Sequence, residues 1–369
     1  MTHLLFYSVK EYVACKIYHC DWKHSDVFRG YKCLKEFGKN NRKSLYKILK
    51  EVNTLCKYWH CFPDMYFRFG HFLKEFSDFE TIKSFVPQKA YSAFCSKGPE
   101  STAYAVLIND KVVFHDLMNY YKLPVPEMYF VFNGNRFVQG GGAELTDSQV
   151  DSILASIKSE RIFVKKYTGG AASGVSIIEN INGKLIYQGE TVNAKFIRKE
   201  FGGCKTFFEK QLIQEPILRS FNPDTVNTIR VMTLNINDTP RVISAAVRFG
   251  RKGGFVDNTA KGGVAVSLDI ETGVLGDWGI REYNLNKFYE HPDSKKKFGG
   301  VLVEQWPAVK ELVLRTLKFL PEYRSVGFDV VTTEDGPCII EINTGAGIYL
   351  SQMGKEKGLA DYFGNSIFM

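Results

Sequence analysis

Two apolar runs separated by an acidic turn constrain this chain more than any other feature. Val326-Gly327-Phe328-Asp329-Val330 is followed by Thr332–Gly336, then by Pro337-Cys338-Ile339-Ile340-Glu341-Ile342-Asn343-Thr344-Gly345. The runs read as two strands joined at Glu334-Asp335-Gly336. Asp329 lies inside the first strand. Glu341 and Asn343 stand at i and i+2 of the second, so they share a face. A carboxylate among Ile and Phe is costly unless it is paired or metal-bound. Three oxygen donors converging from two strands suit Mg²⁺, a hard cation that also keeps water and substrate phosphates. The competing reading is an edge strand with polar residues facing water. It is the weaker one, because the rest of both strands looks buried.

A second signal is a lysine-bearing strand before a small-residue loop, Phe163-Val164-Lys165-Lys166-Tyr167-Thr168-Gly169-Gly170-Ala171-Ala172-Ser173-Gly174-Val175. Glycine lets backbone approach a ligand closely, and consecutive amides form an anion-binding nest. A lysine on the strand can set its ammonium on phosphates. The alternative is an ordinary lysine-edged hairpin. The loop is not a Walker loop, because Val175 stands where Lys is required, although Ser176 fits the position after it. Protein-kinase loops, a G-x-S-x-G elbow and a zincin helix are all missing.

The remaining pattern predicts α+β architecture. Residues 1 to about 97 read as mostly helical, with apolar spacing over Lys43–Lys57 and similar texture over Tyr66–Phe76. Ala103–Asn109 reads as a strand, Asp110–Tyr121 as a helix, and Leu123-Pro124-Val125-Pro126 as its end. Strands are expected at Met128–Phe132, Arg136–Gln139, Arg161–Lys166, Leu212–Gln214, Thr228–Ile236, Arg241–Phe249 and Gly263–Asp269. Val175–Glu179 and Lys184–Gln188 form a hairpin closed at Asn182-Gly183. Helices are expected at Leu145–Ser159, Asn193–Phe201 and Val309–Phe319. Strands dominate without regular βα alternation, which excludes a doubly wound sheet.

Apolar residues make up 44% and charged residues 24%, a core-forming composition that excludes disorder and collagen. No apolar stretch reaches the ~18–20 residues of a membrane span. The opening MTHLLFYSVKEY has too short an apolar segment for a signal peptide, so a cytoplasmic protein is expected. Its eight cysteines are then expected to be free thiols. Residues 1–100 carry 17 Lys and Arg against 10 Asp and Glu, +7 of the formal +8, and many aromatics. That basic head reads first as a solvated face, and second as a patch for lipid, a polyanionic substrate or nucleic acid. Two hexapeptides within it, Cys15–Cys20 and Cys56–Cys61, match at four of six positions. On helices, Cys15 with His19 and Cys56 with His60 could offer zinc four ligands, although buried core cysteines are the commoner meaning.

The order of motifs resembles the ATP-grasp superfamily, and most nearly its sugar-transfer-associated branch, which is similar to carboxylate–amine ligases. The resemblance runs from about residue 100 onward and reaches back through Asp64–Tyr91. It implies an ATP-grasp fold, two α+β subdomains clasping ATP, beside the helical N-terminal region. The implied divisions are 1–100, 101–215 with the glycine-rich loop, and 216–369 with the metal site. Lys111 would be the first nucleotide lysine. Lys165 would be the second, with Lys166 an open alternative, and Gly169, Gly170, Ser173 and Gly174 would fold over the triphosphate. Gln214, Glu215 and Ile217 would form the adenine and ribose hinge. Asp329, Glu341 and Asn343 would be the metal triad, carrying two Mg²⁺ ions. Arg230 resembles the substrate-binding arginine. Arg248 and Asn258 fall in a segment like the loop particular to this branch.

The function implied is an ATP-dependent ligase that joins a carboxylate to an amine through an acyl phosphate, within surface polysaccharide biosynthesis. Its partners would be a glycan or small-molecule carboxylate and an amine, with peripheral association with membrane glycosylation machinery. Nucleic acid is not expected, since the head carries no recognisable motif for it. An amino-acid or peptide ligase of the same fold, or an ATP-binding regulator without turnover, are the alternatives.

Overall fold

The computed structural model describes residues 2–17, 25–36, 41–97, 105, 107–167, 175–254, 257, 262–281, 284–320 and 323–368. Six helices come first: α1 (Thr2–Ile17), α2 (Asp26–Glu36), α3 (Leu45–Trp59), α4 (Asp64–Arg68), α5 (Phe79–Lys83) and α6 (Gln88–Ser96). Ser44 caps α3, its hydroxyl accepting from the Lys47 amide, which sets the helix start two residues inside the expected range. The expected Tyr66–Phe76 helix stops early. Helix α4 ends at Arg68, and Gly70 takes a left-handed φ of 70° that turns the chain.

The expected strand at 103–109 is not one. Residues 107–109 are helical, and residues 101–104 and 106 lie outside the described residues. Helix α7 (Lys111–Tyr120) follows, its start set by Asp110, whose carboxylate accepts from the amides of Val112 and Val113 at 3.0 and 3.2 Å.

The first sheet holds β1 (Met128–Phe132), β2 (Phe137–Val138), β3 (Glu144–Leu145), β4 (Arg161–Lys166), β5 (Val175–Ile181), β6 (Lys184–Tyr187), β7 (Glu190–Thr191) and β8 (Thr206–Lys210). Their order is β3-β2-β1-β8-β4-β5-β6-β7. Helices α8 (Asp147–Ser156) and α9 (Ala194–Glu200) cover it and share its core. The β5–β6 turn falls at Asn182-Gly183, both with positive φ, as expected of a two-residue hairpin.

The strand expected at Leu212–Gln214 reduces to one bridge between Gln214 and Thr333. Its role in the sheet belongs to β8. Residues 206–209 of β8 are all buried between β1 and β4, so no alternation marks them in the sequence.

After the short helix α10 (Pro216–Arg219) comes the second sheet: β9 (Ile229–Ile236), β10 (Thr239–Phe249), β11 (Val264–Leu268), β12 (Leu275–Arg281), β13 (Asn284–Phe288), β14 (Gly327–Thr333) and β15 (Gly336–Asn343). Its order is β13-β12-β11-β10-β9-β14-β15, with α11 (Trp306–Leu317) between β13 and β14 in the chain. Every described strand pair in both sheets is antiparallel. This is the α+β class.

Period-two alternation sorts β9 between two cores. Ile229 and Val231 face α11 and α7, while Met232 and Leu234 join the helices of residues 45–96. The head is therefore not a separate bead. Its core is continuous with one face of the second sheet and with Ala346–Ile367.

Candidate active site

Asp329 and Glu341 meet because of one irregularity. From Thr333↔Gly336 to Val330↔Ile339 the β14–β15 hairpin is regular; a bulge then leaves Ile340 without a partner, and Asp329 faces Glu341. Without the bulge Asp329 would oppose Ile340, and Glu341 would lie on the other face of the sheet. Lys111, the first residue of α7, donates to Glu341 Oε1 at 3.0 Å. Asn343 follows on the same strand face, and its side-chain nitrogen is buried without a hydrogen-bond partner.

Two arginines reach Asp329 from neighbouring strands. Arg230, directly opposite it on β9, donates through Nε at 2.5 Å and through Nη2 at 3.0 Å. Arg248 of β10 approaches Asp329 Oδ2 at 3.0 Å and Asp257 Oδ1 at 3.5 Å. Thr228 ties the set together. Its hydroxyl accepts from Arg248 at 2.6 Å and donates to Asp257, whose Oδ2 also accepts the Thr228 amide at 2.8 Å. Burial alone would raise the Asp329 carboxyl, but Arg230 and Arg248 outweigh it and hold it below the usual carboxylate range. Burial works against charge on Arg248 too, and there Asp257 and Asp329 prevail and push its pKa up.

Lys165, the second expected nucleotide lysine, lies on the first sheet. Lys165 on β4 pairs with the buried Glu209 on β8, whereas Lys166 is exposed. Burial pushes the Cys338 thiol of β15 up to about 12, with Glu209 adding to the effect and Lys165 opposing it. The pKa of the Tyr167 hydroxyl, next along from β4, is raised by burial and by Asp110 and Asp116, the cap and a residue of α7. Lys111, Asp329, Glu341 and Asn343 thus lie together, while Lys165 is held by Glu209 within the first sheet.

The hinge residues divide. Gln214 is buried and spent internally: its amide donates to the Asn227 carbonyl at 2.6 Å and accepts from the Asn227 amide at 3.0 Å. The Gln214 side chain is thus tied to Asn227, and only backbone groups of the segment are left for an adenine edge. Glu215 accepts from the Thr332 hydroxyl at 2.7 Å, and burial raises its pKa. Ile217 is 39% exposed. Gly169, Gly170, Ser173, Gly174 and Asn258 lie outside the described residues.

The sugar-transfer associated ATP-grasp model matches residues 96–365. The chain belongs to the sugar-transfer associated ATP-grasp family. No curated protein matches it. Among solved structures it is similar in fold to a D-alanine–D-alanine ligase from Coxiella burnetii: 10% identity, TM-score 0.37, 67% of this chain and 50% of that one. It is similar to D-alanyl-alanine synthetase A from Vibrio cholerae at 13% identity and TM-score 0.41, over 73% and 66%. A biotin carboxylase complex from Campylobacter jejuni gives 14% identity and TM-score 0.42, over 71% and 46%. The chain spans half of the first of these and less than half of the last.

In this ATP-grasp chain the oxygen donors fit a magnesium site by their chemistry. Glu341 is tied only to Lys111 among the contacts described, and Asn343 keeps an unspent buried amide. Asp329 is more occupied, since both of its oxygens accept from guanidinium. Among the described residues no three His, Cys, Asp or Glu side chains gather as a ready-made metal cage. An amide and substrate phosphates would complete the shell.

The sequence reading missed two carboxylates. Glu209 sits on the strand that carried no pattern, although a buried acid next to Lys210 in Phe207-Phe208-Glu209 was a readable oddity. Asp257, next to Asn258 in the segment after Arg248, was the other. In the second hexapeptide, Cys56 is fully buried in the core with its thiol pushed up to about 12, while His60 is exposed in a left-handed turn at the end of α3. They do not present a joint face for zinc. Cys15, His19 and Cys20 lie outside the described side chains.

Proposed function

We propose that this ATP-grasp protein is a carboxylate–amine ligase that activates a carboxylate on a sugar acid or glycoconjugate with ATP, in the making of a surface polysaccharide. One observation carries the reading. The β15 bulge sets Glu341 opposite Asp329, within reach of Lys111 at the start of α7 and beside the Arg230–Asp329–Arg248 cluster.

A carboxylate oxygen would attack the γ-phosphorus of ATP, releasing ADP and leaving an acyl phosphate. The amine would then attack the acyl carbon, and phosphate would depart. Such transfer asks a protein for positioning and charge neutralisation rather than a side-chain nucleophile. Lys111 and Lys165 are point charges suited to phosphate oxygens, and the loop with Gly169, Gly170, Ser173 and Gly174 follows Lys165 directly. Glu215, with Ile217, would border the nucleoside. Arg230 and Arg248 are planar donors suited to the carboxylate and its acyl phosphate, with Asn258 in the loop after Arg248. Asp329, Glu341 and Asn343 would hold Mg²⁺, which would supply neutralisation of the phosphate charge. The sugar substrate rests on the family's association with sugar transfer.

Charge balance supports the metal requirement. Lys111, Lys165, Arg230 and Arg248 are each paired with a carboxylate: Glu341, Glu209, or Asp329 with Asp257. An anionic triphosphate alone would have to displace these acids; a cation gives them a new partner. ADP release should be measured with Mg²⁺ across uronic acids and amino acids as carboxylates, each with a panel of amines. Release that requires Mg²⁺ and a uronic acid together is expected. Turnover with amino-acid carboxylates alone would point to a peptide ligase. Magnesium-dependent ATP binding with no turnover on any pair would overturn the enzyme reading.

A further inference from the structure

Helices α1 and α3 pack on each other, and each exposes large apolar side chains. On α1, Leu5, Phe6 and Val9 are 66%, 60% and 52% exposed; on α3, Leu45, Tyr46 and Leu49 are 55%, 78% and 36% exposed. Leu4 and Tyr7 of α1 pack on the core instead, so the helix carries apolar residues on two faces. Thr2, Leu5, Phe6, Val9 and Lys10 line one open surface depression.

The charges are sorted the same way. Both acids of these helices turn inward. Glu11 is 7% exposed and pairs with Lys89; Glu51 is 7% exposed and accepts from Lys43 at 2.8 Å and from the Tyr66 hydroxyl at 2.6 Å. The exposed charged residues among the described side chains of α1 and α3 are Lys10, Lys47, Lys50 and Lys57, all cations. Exposed Leu, Phe and Tyr are thus interleaved with lysines and with no carboxylate.

We propose that this face docks on an anionic membrane surface, with Leu5, Phe6 and Val9 entering the boundary between headgroups and acyl chains and the lysines meeting lipid phosphates. Helices that lie in that boundary combine Leu and Phe with Lys in this way. Protein interfaces are depleted in Lys, and a second copy would set these lysines against their own kind. The helix lies on the surface rather than through it: no described helix is long and apolar enough to cross a membrane. The proposal stands apart from the ligase reading, and its test does not use turnover.

The test is co-sedimentation of the full chain with vesicles of phosphatidylcholine alone, and with phosphatidylglycerol added, at low and high salt. The protein should pellet with the anionic vesicles, stay in solution with the neutral ones, and be released by salt. The variant Leu5→Ser/Phe6→Ser/Val9→Ser should bind at least about tenfold more weakly. Lys47→Glu/Lys50→Glu alters only exposed α3 residues and should lose the preference for anionic lipid; it carries the test if the α1 variant does not fold. Equal binding by the α1 variant with an unchanged melting temperature would overturn the proposal. So would no retention on anionic vesicles, whether the protein is then monomeric, leaving the face to an acidic protein, or forms a dimer that the α1 variant dissolves.

Discussion

At the scale of single residues, the candidate site is a set of paired opposites rather than an array of free charges. That changes what a substitution does. Glu341→Gln removes the one carboxylate facing Lys111 and Asp329 and keeps the shape, so kcat for ADP release should fall by about 10²-fold or more while the fold persists. ADP formation near the unaltered rate, with an unchanged melting curve, would remove Glu341 from the site. Lys165 and Lys166 were inseparable in the sequence. Their environments differ: Lys165 faces the buried Glu209, while Lys166 faces solvent. Lys165→Ala should therefore raise KM for ATP at least about tenfold more than Lys166→Ala does. The reverse order, read from initial rates, would transfer the nucleotide contact to Lys166.

At the scale of elements, what the sequence revealed followed periodicity and local chemistry. The helix following Asp110, the Asn182-Gly183 hairpin and the β14–β15 pair are set by neighbours in the chain, and they were readable. Three features were not. Strand β8 has no alternation because both its faces are buried; residues 107–109 look strand-like but are helical; and the bulge at Ile340 depends on how β15 meets β14. The bulge decides which face Glu341 occupies, so the most informative residue was legible while the device that aims it was not.

The docking of the segment after β15 on the head is also long-range. Gly358 donates to the Ser84 hydroxyl at 2.7 Å, and a Cβ there would stand 2.3 Å from the Ser84 carbonyl oxygen and 2.5 Å from Phe85 Cα. Those are backbone atoms that cannot rotate away. Gly358→Ala should cost about 1–3 kcal/mol, measured by denaturant unfolding. A loss within error would mean that the contact yields.

At the scale of the whole molecule, the core shared by the head and the second sheet makes stability depend on two buried titrating groups. His71 is 2% exposed and ringed by Tyr66, Phe69, Phe76 and Phe85; burial, with Lys43 adding, lowers its pKa from 6.5 to about 3. Asp64 is 3% exposed, and burial raises it from 3.8 to about 6 despite Arg68. The signs oppose. The fold favours neutral His71, so that stability is present above pH 6.5 and is lost as pH falls from 6.5 toward 3. The fold favours protonated Asp64, so that stability is full below pH 3.8 and is lost as pH rises through 6. Each group exchanges one proton, so between pH 6 and 3.8 they nearly cancel in the native protein. Removing either should expose the other. Relative to the parent, His71→Phe should gain stability on going from pH 7 to pH 4.5, by about 2–3 kcal/mol at the acid end. Asp64→Asn should lose about 1–2 kcal/mol over the same range. Denaturant midpoints across that range would read both slopes. Parallel curves for parent and variants would mean that neither group titrates between the folded and unfolded chain as its surroundings require.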